Sequence, residues 1–186
     1  MLVWIILGII VAVLVIAGIY VVSLYNTLIK RKNSVEEAFS TMDVYMKKRW
    51  DLIPNLVETV KGYAKHEKDT LKEVLELRVG NYDTMSSNQK LDANKKLSTG
   101  IAKLLAVAEN YPTLQASENF KQLTSELSKV EEDIANSRKY YNGTVRVFNN
   151  KVQVFPNNIF VKMFGFSKMT MFEIEESEKQ NVKVEF

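Results

Sequence analysis

From Leu2 to Leu24 the chain is almost continuously apolar, and no charged side chain occurs before Lys30. At about 1.5 Å of rise per helical residue, such a run is long enough to cross the roughly 30 Å hydrocarbon core of a bilayer. Gly8, Gly18 and Ser23 are the small or polar interruptions, and membrane helices tolerate all three. Trp4 and Tyr20 sit near the two ends, where amphipathic rings prefer the interface. A cleaved signal peptide would instead need a basic leader, a shorter apolar core and a small-residue cleavage site. None of these is visible, so the pattern predicts an uncleaved membrane anchor over residues 1–25.

After the anchor the apolar positions fall at helical spacing. Leu28, Val35, Ala38, Phe39, Met42, Tyr45 and Met46 keep one phase with no glycine or proline between Gly18 and Pro54. The anchor helix is therefore expected to run straight into the body, although Asn33 and Ser34-Val-Glu-Glu37 also read as a helix stop and restart. Pro54 suits a first helical position, and Ile53 before it is pushed from helical dihedrals. A second helix is accordingly expected from Pro54 to about Gly80, a kink without reversal being the other reading. A third helix is expected over Gln89 to Glu109, ended by Asn110-Tyr-Pro112. The fourth begins near Ser117. Phe120, Leu123, Leu127, Val130 and Ile134 step by three and four, and Tyr141, Phe148 and Phe155 continue by sevens. The predicted fold is all-α: an N-terminal transmembrane helix followed by an up-and-down four-helix bundle. By residue the expected division is an anchor over 1–25, a bundle over 26–156, an aromatic membrane-proximal segment over 157–172 and an acidic tail over 173–186.

Composition narrows the chemistry. The net charge of +3 with 25% charged residues is too mild for a nucleic-acid partner. There is no cysteine, so disulfides, thiolate metal sites and cysteine nucleophiles are excluded. His66 is the single histidine. It precedes Glu67, but a zinc-protease motif needs a second histidine where Thr70 stands. Di-iron bundles need Glu-x-x-His pairs, and serine hydrolases need a nucleophile turn that is absent. Glu131-Glu132-Asp133 reads as a solvated helix face. No enzyme and no cofactor is expected. Lys30, Arg31 and Lys32 follow the span, and positive flanks stay inside, so the body is expected in the cytoplasm with the N-terminus outside.

Several blocks carry a resemblance. Tyr25-Asn-Thr-Leu-Ile29, Ala38-Phe39-Ser40 and Lys48-Arg49 lead into Asp51-Leu-Ile-Pro-Asn-Leu-Val57 and Val60-Lys-Gly-Tyr-Ala64. Tyr111-Pro112, Glu118-Asn-Phe120, Tyr141-Asn142, Phe155-Pro156 and Phe164-Gly-Phe166 come after them. Together they resemble the bacterial LemA family across nearly the whole chain from Tyr25 to Glu173, with a departure between Val79 and Asn88. The resemblance implies an N-terminally anchored four-helix bundle and assigns no catalytic site or cofactor.

Two segments stand out as contact candidates. Phe155, Phe160, Phe164 and Phe166, with Lys162 and Lys168 among them, suit the headgroup region or a subunit contact, or else a lid on the bundle. Arg49, Asp51 and Asn55 suit either a recognition patch at the far tip or the support of a tight helix junction. The expected function is a non-enzymatic scaffold or adaptor at the membrane. Its partners are the lipid bilayer, further copies of itself and a membrane or cytoplasmic protein. The alternatives are a membrane-remodelling, lipid-engaging assembly and a cofactor-dependent enzyme. The ending Asn181-Val-Lys-Val-Glu-Phe186 alternates like a strand, so the acidic tail is expected either to pair between chains or to stay disordered.

Overall fold

The structure, a computed structural model, describes residues 1–78 and 80–172. Among the described residues six α-helices succeed one another in chain order: α1 Leu2–Tyr63, α2 Lys68–Glu76, α3 Ser87–Glu109, α4 Pro112–Ala116, α5 Glu118–Gln153 and α6 Asn157–Met163. A 3-10 turn over Tyr82–Thr84 lies between α2 and α3, and no strand occurs among the described residues. The protein is all-helical with a long apolar N-terminal helix, as the periodicity predicts. The acidic tail lies outside the described residues.

The anchor and the first stretch of the body are one helix. α1 passes Asn33 without a break, and the Ser34 hydroxyl bonds back to the Lys30 carbonyl instead of capping a new start. It also passes Pro54. The expected reversal there does not occur; the chain turns at residues 64–67 and α2 begins only at Lys68. A proline inside a helix removes one hydrogen bond and costs about 3 kcal/mol. Here Ile53, Leu56 and Val57 on either side of it are buried, and each such side chain contributes about 1.5–3 kcal/mol. Burial outweighs the local preference.

The described chain packs as two compact units, which divide at Ala38/Phe39 and at Tyr140/Tyr141. The unit of residues 39–140 holds the bundle: the last part of α1, then α2, α3 and the first part of α5. Met42, Met46 and Val60 of α1 share this core with Val74, Leu104 and Val130. At its start, α3 is held by a reciprocal cap in which the Ser86 hydroxyl accepts from the Gln89 amide and Gln89 accepts from the Ser86 amide.

The other unit joins residues 1–38 to residues 141–172. Its core contains Leu24, Leu28 and Val35 of α1 with Val145, Phe148 and Val152 of α5. The residues of α1 before Leu24 are exposed, apart from the half-buried Val21. The heptad seam of α5 does not reach Phe155, which is 79% exposed. α5 stops at Gln153 because the residue before Pro156 is disfavoured in a helix. The Phe155–Pro156 bond is cis.

Candidate functional site

α6 and the chain after it bring polar and aromatic side chains together in the unit that carries the anchor. Asn157, at the start of α6, is buried. Its side-chain oxygen accepts from the Tyr20 hydroxyl at 2.6 Å, and its amide nitrogen donates to the Lys151 carbonyl at 3.1 Å. Val161, one turn on, is also buried, so these two residues mark the inner face of α6. The helix ends in a Schellman turn: Gly165 takes a positive φ, its amide donates to the Lys162 carbonyl, and the Phe166 amide donates to the Val161 carbonyl. That turn folds Phe166 back onto α1. Tyr25 meets Phe164 edge-on at 5.2 Å and Phe166 at 6.0 Å, and Phe166 meets Phe148 at 6.3 Å.

The sequence candidates in this segment therefore separate. Phe160, Phe164 and Phe166 are half-buried, whereas Phe155, Lys162 and Lys168 are exposed. Two residues outside that set share the outer face: Ile159 at 60% and Met163 at 71% exposure. Their spacing of four from each other was the signal available in the sequence.

Beyond Gly165 the chain is pinned to α5 by two asparagines. The Asn149 side chain donates to the Met169 carbonyl and accepts from the Met169 amide, both at 2.9 Å. Asn142 does the same with Phe172, both at 2.8 Å. Between them the Tyr141 hydroxyl donates to the Thr170 carbonyl at 2.7 Å. Burial raises the Tyr141 phenol above its ordinary range, which keeps it a donor.

Arg49, Asp51 and Asn55 are not one patch. Arg49 is fully buried in the bundle. One of its terminal nitrogens donates to the Ser98 hydroxyl at 3.0 Å and to Glu131 at 2.6 Å; the other donates to both the backbone and the side-chain oxygen of Asn94. Asp51 and Asn55 are exposed on the flank of α1, where Asp51 pairs with Lys47 at 3.0 Å. The expected junction at the tip is absent because α1 continues past all three. Nearby, Asp43 accepts from the Tyr82 hydroxyl at 2.7 Å and pairs with Lys90 at 2.5 Å. Burial, and then this bond to Asp43, push the Tyr82 phenol well above its ordinary range.

His66 lies in the turn between α1 and α2, beside a groove floored by Val57, Ala64 and Leu71 and rimmed by Lys61, Lys65 and Lys72. Among the described residues no three histidine, aspartate or glutamate side chains converge as a metal site would need.

A family model, that of the LemA family, matches residues 38–186. The Protein LemA of Metamycoplasma hominis is 24% identical, with 84% of this chain and 72% of the relative covered. Magnetosome protein MamQ 2 of Paramagnetospirillum magneticum is also 24% identical, over 80% of this chain. Magnetosome protein MamQ of Magnetospirillum gryphiswaldense is 22% identical over the same share. The chain spans 64% of the length of each of these two magnetosome proteins.

Proposed function

The chain belongs to the LemA family, and on that premise we propose that it is a non-enzymatic scaffold or adaptor that presents a helical body at a membrane and works through protein contacts. The observation that carries this reading is α1. Its apolar part is exposed along the length a bilayer would cover, and the same helix supplies core residues to the folded body. A body built on its own anchor cannot leave the membrane plane, so its partners are met there. Similarity to proteins named as magnetosome proteins supports a role tied to membranes.

Self-assembly belongs to the same reading. Copies held in one plane meet at high effective concentration, and Gly8, Ala12 and Gly18 allow close approach between spans. Lys30, Arg31 and Lys32 favour a cytoplasmic body with the N-terminus outside. Photo-crosslinkers at exposed positions such as Lys48, Lys65 and Asn150, activated in native membranes, test the reading. It requires discrete adducts with a second copy or with another protein. Adducts with lipid alone at every position would reject it, and digestion of the body by protease added to intact cells would reverse the orientation.

A further inference from the structure

The outer face of α6 is apolar where an ordinary surface helix is polar. Ile159 and Met163, 60% and 71% exposed, lie one turn apart and form an apolar stripe, and Phe155, 79% exposed, stands just before the helix. The opposite side of the helix is satisfied by Asn157 and Val161, which are buried. The stripe is therefore an unpartnered face, not a gap in the core.

Its position relative to α1 says what covers it. Asn157 is hydrogen-bonded to Tyr20, and Tyr20 lies inside the apolar run that ends at Leu24. About twenty helical residues cross the hydrocarbon core, so a span that starts at Leu2 leaves Tyr20 at the bilayer boundary. The packed core of this unit begins there too, since Leu24 is only 4% exposed. The start of α6 is thus tied to the last turns of the span, and its free face lies at the depth where lipid headgroups meet acyl chains. Lys162, exposed on the same helix, can lay its methylenes along that boundary and place its ammonium among anionic headgroups.

We propose that α6 is a second membrane contact: a short interfacial helix whose Ile159–Met163 face, with Phe155 just before it, enters the bilayer beside the exit of α1. The contact limits the tilt of this unit against the bilayer, because a lone span can tilt and a second attachment beside it resists that. It is independent of the adaptor reading, since a lipid-seated α6 is compatible with any partner.

The chain has no cysteine, so one introduced cysteine reports one position. Full-length Ile159→Cys, Met163→Cys and, as a polar control on α5, Asn150→Cys are labelled with an environment-sensitive fluorophore. Each is reconstituted in vesicles of phosphatidylcholine and phosphatidylglycerol. Lipid-borne nitroxide should quench the labels at 159 and 163 several-fold more than the label at 150, and aqueous iodide should show the reverse order. Iodide quenching of all three alike would overturn the proposal by showing an aqueous α6. Protection of 159 and 163 from both quenchers would also overturn it, and would assign the stripe to a protein contact. The two positions lie one turn apart, so a folding defect in one variant leaves the other to decide.

Discussion

Asn94 accepts twice from one nitrogen of the Arg49 guanidinium, once on its side-chain oxygen and once on its backbone carbonyl, so α1 and α3 are joined by a buried cation. Glu131 completes the arrangement from α5 with a side chain that is 40% exposed. Removing one member of a buried charged network leaves the others without partners. Arg49→Met is therefore expected to lower the unfolding free energy by about 3 kcal/mol. Glu131→Gln should cost less than about 1 kcal/mol, because water can replace it. Arg49→Lys should recover little, since an ammonium cannot reproduce the planar fork. Urea unfolding followed by circular dichroism in detergent measures all three.

The asparagines on α5 read backbone, and backbone needs both a donor and an acceptor. Asn149→Asp or Asn142→Asp keeps the shape and loses the donor, at about 1 kcal/mol for each bond forfeited. Trypsin cleavage after Lys162 and Lys168 should then accelerate about fivefold if it follows local opening of that free energy. Unchanged cleavage would mean that the aromatic contacts at Tyr25 hold this segment by themselves.

Tyr82 makes stability sensitive to alkali. Its folded phenol titrates above the unfolded value of about 10, because of burial first and the Asp43 bond second. The stabilisation is complete below pH about 10 and is lost as pH rises above it, by up to about 1.4 kcal/mol per pH unit. Tyr82→Phe should be less stable at neutral pH by about 1 kcal/mol and show a shallower alkaline decline. Tyr141, raised by burial, keeps part of the slope.

Two glycines on helices should respond differently. A Cβ at Gly143 meets nothing within 4 Å, so Gly143→Ala should stabilise the fold by about 0.5–1 kcal/mol through helix propensity. At Gly100 the same atom lies 2.6 Å from the Leu77 Cδ1, and that gain should be reduced or cancelled as Leu77 moves. Thermal midpoints of the two variants decide the order.

How much of this was legible depends on what kind of partner a residue has. α3 and the start of α5 follow from periodicity because most of their inner positions are apolar, Leu97, Ile101 and Leu104 on the one and Leu127 and Val130 on the other. Arg49 falls in the register of Met42, Met46 and Ile53, so its inward position was readable, whereas its partner Asn94 lies 45 positions away with no local sign. Pro54 misleads because the rule for proline is local and the packing that overrides it is not. Phe155 misleads in the opposite way: a sevenfold spacing continues for one step after the helix that gave it meaning has ended. Asn142 and Asn149 could not be read at all, since they bind main chain at 169 and 172, which carries no pattern of residue types.

Those two asparagines stand seven residues apart on α5, and the residues they hold stand three apart. Seven helical steps cover about 10.5 Å, and three steps of fully extended chain cover about 10–11 Å. The pair is a gauge with two scales cut to the same mark. It checks chain length and is blind to spelling, so side chains at 169–172 are interchangeable as far as this grip is concerned. One residue inserted on either scale, between 142 and 149 or between 169 and 172, throws the marks out of coincidence. At 169–172 this grip tolerates substitution and forbids insertion.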